Sequence, residues 1–230
     1  MGVQKAAVDD RIREKLGDDG VRLALASMWA VDCQTCNRPL RGDVPTLAVD
    51  DAIAFAIATL HHQRCRPSAW KDEGSINVAN SPTVSYTCLS LVLQATEGRQ
   101  GDRAALLVNP RLEMLLLKRS PLGPWQVDIG AEFHAAGLRN PGEWPLDLAT
   151  PLPDARAQLR GGQIVVTLTG PPAQQYAAGA NAAFTRVLNA HRGLVLFVTQ
   201  AINPPQVSSM AQLAPVLAGD RSLGGWVALR

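Results

Sequence analysis

The chain has 230 residues, a formal net charge of +2 and a hydrophobic fraction of 47%. A chain of this length and apolar content can bury a full core, as one large domain or two small ones. The chain is nearly balanced in charge, whereas nucleic-acid-binding proteins are typically strongly basic. No segment reaches the roughly 18 consecutive apolar residues of a membrane-spanning helix, and residues 1–6 lack the apolar stretch of a secretory signal. The sequence therefore predicts a cytoplasmic protein with no membrane partner.

The first 31 residues predict two short helices. Apolar residues recur at helical spacing in residues 5–16 and again in residues 21–31, and Gly17 stops the first run. We expect both helices to pack on or beside the segment that follows them.

The segment from Cys33 to Cys65 carries the clearest chemical signal in the chain. Cys33-Gln-Thr-Cys36 is followed by 25 residues and then by His62-Gln-Arg-Cys65. Two close pairs of thiol and imidazole side chains supply the four ligands of a tetrahedral structural zinc ion. The sequence therefore predicts one structural Zn²⁺ bound by Cys33, Cys36, His62 and Cys65, with His61 as an alternative to His62.

Residues 45–49 and 52–60, between the two pairs, predict a β-hairpin that brings the second pair back to the first. Two other interpretations stay open: unrelated buried thiols, or a redox-active Cys-x-x-Cys. A thioredoxin-like redox pair sits at a strand-to-helix junction, which a hairpin does not provide, and neither interpretation accounts for the His-x-x-Cys pair. Cys88 is then the one cysteine outside the metal site, which suits a reducing compartment better than a disulfide framework.

The spacing of these four ligands resembles the first zinc module of LIM domains and, more loosely, the treble-clef fingers. Residues 37–40 also resemble the turn that follows the first cysteine pair in LIM proteins. The resemblance covers residues 33–65 and ends there, since a LIM domain continues with a second cysteine pair where this chain has residues 66–70. It implies a protein-docking role as one expectation for the module, and no family is recognised for the rest of the chain.

Arginines flank the predicted metal ligands at four positions: Arg38, Arg41, Arg64 and Arg66. Guanidinium groups on a compact zinc module are candidates for contacts with nucleic-acid phosphates, so a nucleic-acid-binding protein is an alternative function. The aromatic side chains that stack on bases are missing near the module, apart from Phe55 and Trp70. Arginines on such a module are also common as ordinary solvated surface residues.

A polar stretch at 71–82 marks the best boundary between two domains, 1–72 with the helices and the zinc module and 83–230 with a sheet. Residues 84–93, 103–108 and 112–117 are predicted as strands of that sheet, with Cys88 facing a core.

The segment 129–161 is irregular and rich in proline, with a short helix at 132–136. Long irregular segments are often functional, and this one contains a cluster of Glu132, His134 and Trp144. We nevertheless interpret these three residues as packing groups without a functional role.

Residues 163–169, 173–191 and 194–198 predict strand, helix and strand, with Gly193 capping the helix. This order predicts a right-handed βαβ unit with parallel strands, and no glycine-rich phosphate loop lies at its first turn. The predicted fold class is α+β: N-terminal helices and a zinc finger with a β-hairpin, followed by a mixed β-sheet that contains one βαβ unit.

These patterns predict a non-catalytic, zinc-stabilised protein that acts as an adaptor or structural component, with another protein or a second copy as partner. The chain would fill all four coordination positions, which leaves none for an activated water. A metal-dependent hydrolase is a further alternative. Against it, the ligand order is reversed relative to a cytidine-deaminase site, no glutamate follows the histidine, and no Gly-x-Ser-x-Gly is present. We therefore expect no catalytic residues.

Overall fold

The computed structural model of the protein describes residues 2–72, 74, 85–95, 101–120, 123–128, 130–141, 150–170, 173–207 and 209–230. Most of the predicted boundary at 71–82, namely residue 73 and residues 75–82, lies outside these ranges, and so does Trp144. Four α-helices occur in the described residues: α1 Asp10–Ala26, α2 Ala131–Ala135, α3 Ala182–His191 and α4 Met210–Leu217. The strands are β1 Thr46–Asp51, β2 Phe55–His61, β3 Ala69–Lys71, β4 Thr87–Leu93, β5 Arg103–Asn109, β6 Met114–Arg119, β7 Trp125–Asp128, β8 Ala155–Arg160, β9 Gln163–Leu168, β10 Gln174–Gly179, β11 Gly193–Thr199 and β12 Ser222–Ala228. The predicted α+β class is confirmed.

The chain forms two compact units, which we call unit 1 (Met1–Ser85 and Arg111–Ile129) and unit 2 (Tyr86–Pro110 and Gly130–Arg230). The division into domains 1–72 and 83–230 concerns independent folding and stays a prediction. The placement of residues 112–117 in the C-terminal sheet is wrong, because β6 pairs antiparallel with β2 in unit 1, with Leu116 opposite Ile57. Its apolar side chains fit either sheet, and only the pairing decided between them.

Unit 1 begins with the predicted helical segment. The Asp9 side chain caps α1 by accepting a hydrogen bond from the backbone N–H of Arg11, which satisfies one of the free donors of the first turn. Gly17 has φ 68° and ψ 166°, a non-helical conformation open to glycine, and interrupts the helix where the sequence predicted a stop. The helix resumes and ends at Ala26, which leaves residues 27–32 to lead into the first cysteine pair.

The sheet of unit 1 has the order β3-β1-β2-β6-β7. The predicted hairpin is confirmed, since β1 and β2 pair antiparallel from Thr46 opposite His61 to Asp51 opposite Ala56. Apolar side chains from α1, β1, β2 and β6 form the core of the unit, and Cys33 belongs to that core. The hairpin therefore carries the second ligand pair to the place where the first pair is buried.

Unit 2 contains a four-stranded sheet of order β12-β11-β5-β4 and an antiparallel sheet of order β10-β9-β8. Alternate residues of β5 and β11 enter two different apolar clusters, so both strands are buried on both faces. This explains their continuous apolar runs, which are typical of parallel neighbours. Cys88 packs against one of these clusters as predicted, and burial raises the pKa of its thiol to about 12.

The predicted βαβ unit is wrong. Strand β11 runs parallel to β5, while β9 lies in the other sheet and pairs antiparallel with β8 and β10. Residues 174–179, predicted as the first half of a helix, form β10 because their backbone pairs with β9. Non-local pairing overrides a weak local preference for helix here. The helix α3 starts only after Asn181, whose side chain accepts a hydrogen bond from the Phe184 N–H.

Candidate metal centre

Four predicted ligand atoms meet in unit 1. The Sγ atoms of Cys33, Cys36 and Cys65 and a ring nitrogen of His62 all lie within 4.8 Å of one another. The Nδ1 atom of His62 lies 3.5 Å from the Sγ of Cys36 and 3.9 Å from the Sγ of Cys65. Sulfur and nitrogen ligands of a tetrahedral zinc ion lie about 3.6 Å apart, given Zn–S and Zn–N bonds of about 2.3 and 2.1 Å. The donor set and its spacing therefore fit one Zn²⁺.

The first pair lies on a tight turn that follows α1. The N–H of Cys33 donates to the carbonyl of Arg38 at 2.9 Å, and the N–H of Asn37 donates to the carbonyl of Cys33 at 2.8 Å. Asn37 has φ 53°, a left-handed conformation that asparagine tolerates better than most residues. This turn points both sulfurs in the same direction.

The second pair lies on a turn that follows β2. The N–H of Cys65 donates to the carbonyl of His62 at 2.9 Å, so the two ligands share one side of that turn. The backbone N–H of His62 also contacts the Sγ of Cys33 at 3.4 Å. The two turns are thus joined at the sulfur of the most deeply buried ligand.

The orientation of the His62 ring is set on the side away from the sulfurs. Its Nε2 lies 3.1 Å from the carbonyl oxygen of Pro39 and 3.6 Å from Oδ2 of Asp43. A carbonyl oxygen only accepts hydrogen bonds, so Nε2 carries the proton and Nδ1 turns its lone pair towards the sulfurs. An outer hydrogen bond of this kind fixes the tautomer of metal-binding histidines. His62 is therefore prepared to bind a metal through Nδ1.

The electrostatics of the cluster favour a cation. Burial opposes ionisation of Cys33, but the backbone N–H groups of His62, Thr35 and Cys36 donate to its sulfur and lower its pKa to about 6. The pKa of Cys65 is raised, first by desolvation and then by the neighbouring thiols of Cys36 and Cys33. Like charges this close cannot all form without a positive ion among them. A metal ion at the centre of the four ligands would remove that conflict.

His61, the alternative ligand, lies outside the cluster. Its Nδ1 lies 2.9 Å from Oγ1 of Thr35 and its Nε2 lies 2.8 Å from Oγ1 of Thr59, so hydroxyl groups occupy both ring nitrogens. The structure brings His62, and not His61, to the sulfurs. Because Thr35 belongs to the first turn, His61 instead supports the loop that carries Cys33 and Cys36.

The buried His61 gives unit 1 an expected pH dependence. Burial, and then the positive charge of Arg66, lower the pKa of His61 to about 4, from about 6.5 in an unfolded chain. Between pH 6.5 and pH 4, His61 therefore binds a proton in the unfolded state but not in the folded state. The free energy of unfolding falls as the pH drops through this range. The difference of 2.5 pKa units corresponds to about 3 kcal/mol.

Glutamine has no group that titrates in this range. We therefore expect the free energy of unfolding of His61→Gln to fall by about 3 kcal/mol less than that of the native chain between pH 6.5 and pH 4. Urea unfolding followed by tryptophan fluorescence at several pH values measures the difference. Acid release of metal affects both proteins alike, so equal losses in the two would contradict a neutral, buried His61.

The four flanking arginines divide into two groups. Arg66 is half-buried and forms a two-point ion pair with Asp50, with N–O distances of 2.9 and 2.5 Å. Arg38, Arg41 and Arg64 are exposed and form no ion pair within the described residues. Three of the four predicted phosphate contacts are thus available to a partner, while Arg66 has a structural role.

Two groups that support the site could not be predicted from the sequence. The carboxyl group of Glu113 accepts hydrogen bonds from residues beside Cys33, although it lies 80 positions along the chain. The Pro39 carbonyl orients His62 and is a backbone atom, which no residue type announces. A motif of local spacing contains no signal for either.

No helix in the described parts of the chain is both long and apolar enough to cross a membrane. No family model, curated protein or solved structure matches the chain. The likeness to LIM and treble-clef modules thus consists of ligand spacing. What the geometry adds is a Cys₃His cluster at metal-binding distance.

Proposed function

We propose that the protein is a non-catalytic, zinc-stabilised interaction protein in which one Zn²⁺ holds residues 33–65 together. The observation that carries this proposal is the closed donor set inside a core. Three thiols and one imidazole nitrogen converge, Cys33 is fully buried, and Cys36 and Cys65 pack against the same apolar cluster. Structural zinc sites are closed in this way, whereas catalytic sites keep one position for water or substrate.

The surroundings of the cluster also favour a structural over a hydrolytic metal. A cleft of about 510 Å³ lies beside His62 and is lined by Asp43, Val44, Gln63 and Arg64. The carboxylate of Asp43 approaches Nε2 of His62, which is the nitrogen turned away from the sulfurs. A general base would have to approach the metal-bound water on the Nδ1 side. This carboxylate is therefore placed to orient His62 instead.

The surface around the finger supports a protein partner. Arg38, Arg41 and Arg64 are exposed there, together with Val31 and Val44, whose exposed fractions are 37% and 47%. Arginine is enriched at protein interfaces relative to the rest of the protein surface. Val31 lies close to this surface because the carbonyl of Val31 accepts a hydrogen bond from the N–H of Leu40. The three positive charges favour an acidic protein segment as the partner.

Metal analysis combined with native mass spectrometry of the purified protein tests the proposal. We expect one zinc per chain, and the native mass also shows whether the partner is a second copy. Less than about a tenth of an equivalent of zinc, with no uptake after reduction, would contradict the metal site on which the proposal rests.

A nucleic-acid partner is the second candidate, because the three exposed arginines would suit phosphates as well. Titration of salt against binding of a DNA duplex separates the two. Neutralising three phosphates makes affinity fall with a log–log slope of about −3. We expect no such binding by the native chain, and a slope of this size that vanished on replacing Arg38, Arg41 and Arg64 would favour the nucleic-acid function.

A further inference from the structure

Glu113, just before β6, is a buried acidic residue with both carboxylate oxygens engaged near the metal cluster. It is 1% exposed. Its Oε1 accepts a hydrogen bond from the backbone N–H of Asp32 at 3.0 Å, and its Oε2 accepts one from the side-chain amide of Gln34 at 3.2 Å. Asp32 and Gln34 are the residues on either side of Cys33. The carboxyl group of Glu113 therefore binds the backbone N–H of the residue before Cys33 and the side-chain amide of the residue after it.

The backbone of Glu113 is tied to the same place. The N–H of Leu60 donates to the carbonyl of Glu113 at 3.0 Å, and the N–H of Gln34 donates to the carbonyl of Leu60 at 3.0 Å. Leu60 lies two residues before His62 in the chain. The contacts of Glu113 thus connect the turn of the first ligand pair, the end of β2 and the start of β6.

The geometry points to Glu113 as the positioning residue of the metal centre, which holds Cys33 where its sulfur meets the other three ligands. This inference rests on the proposed function, since it assumes that the cluster binds zinc. A buried carboxyl group is unfavourable unless hydrogen bonds compensate it, and here two donors from one turn do so. Without it the Asp32 N–H and the Gln34 amide lose their acceptor, and the turn is free to move Cys33 away from His62.

Glu113→Ala is the variant that tests this role. Loss of an outer-shell partner costs about 10- to 100-fold in metal affinity, and we expect a weakening of zinc binding in that range. Competition with a chromophoric chelator measures the affinity in the full-length protein. Substitution of Co²⁺ provides a second readout, because the visible absorption bands of a tetrahedral thiolate site should shift or weaken when Cys33 is displaced.

Two variants separate positioning from general stability. Leu117→Ala opens a cavity at a fully buried site of β6, away from the turn. It should lower the unfolding midpoint while leaving zinc affinity and the Co²⁺ spectrum of the folded protein unchanged. Glu113→Gln should retain most of the affinity. The Oε1 of Gln34 has no hydrogen-bond partner within the described residues, so its amide can turn over and pair with the new amide.

A further variant keeps the test decisive if Glu113→Ala fails to fold. Gln34→Ala removes one of the two donors without touching β6, and we expect zinc affinity to fall by about tenfold. Where Glu113→Ala does fold, the double variant should lose less zinc affinity than the sum of the two single losses, because both substitutions remove the hydrogen bond between Gln34 and Glu113. A native zinc affinity in Gln34→Ala would overturn the role of Glu113. So would equal losses of zinc affinity in Glu113→Ala and Leu117→Ala. A native chain that binds no zinc would instead overturn the proposed function itself.

Discussion

Replacing Cys36 with serine is expected to unfold residues 33–65 and to leave the strands of unit 2 intact. Zinc binding contributes on the order of 10 kcal/mol in finger peptides, because the unfolded chain holds no preformed site. That is comparable to the whole free energy of unfolding of a domain. Loss of one of three thiolates should therefore cost more free energy than the remaining interactions of residues 33–65 supply. The core of unit 2 contains none of the four ligands and should keep its order.

Hydrogen exchange measured residue by residue is the appropriate experiment, because it reports the two units separately. Amides of residues 33–65 should exchange rapidly in Cys36→Ser, while those of β5 and β11 keep native protection. Cys88→Ser is the matched control, since it makes the same chemical change in unit 2 and should retain one zinc per chain. If Cys36→Ser kept native protection in residues 33–65 but abolished a hydrolytic activity, the metal would be catalytic and the proposed function wrong.

Gly193→Ala is expected to destabilise unit 2 by about 3 kcal/mol or more, at the upper end of the range for overpacked cores. A Cβ atom at Gly193 would lie 2.4 Å from Cζ2 of Trp226 and 2.6 Å from the carbonyl oxygen of Val227. Both neighbours belong to β12, which pairs with β11 along its whole length, and the indole of Trp226 is buried. Relief of the clash would separate the two strands, so the cost includes lost sheet hydrogen bonds.

Gly179→Ala is the control for this change. Gly179 ends β10, has an ordinary φ, and a Cβ atom there would have no neighbour within 4 Å. We expect its stability to change by at most about 1 kcal/mol, since the substitution mainly reduces the freedom of the unfolded chain. Urea unfolding gives both values, and metal analysis should find native zinc content in each variant. Equal stabilities for the two variants would show that β12 accommodates the added methyl group without strain.

The cluster of candidate metal ligands and the fold differ in how far the local sequence specifies them. The spacing of two residues inside each ligand pair is a property of one turn, so Cys33, Cys36 and Cys65 were identified without a structure. The hairpin of β1 and β2 was also predicted, because its strands are adjacent in the chain and separated by a short turn. The sequence predicted His62 as the ligand and kept His61 as the alternative. The structure decides between them, because the His61 ring lies between the hydroxyl groups of Thr35 and Thr59 while His62 lies beside the sulfurs.

The sequence by itself determined the α+β class, the break at Gly17, the hairpin and the ligand pairs, since each depends on residues that are close along the chain. Only the tertiary structure decided which strands are neighbours. Residues 112–117 pair with β2, and β11 pairs in parallel with β5. The sequence does not specify these pairings, because a strand that is apolar on both faces fits beside any apolar strand. The pairing with β2 also brings Glu113 beside the first cysteine pair. This contact joins residues 80 positions apart in the chain, which spacing within a motif cannot encode.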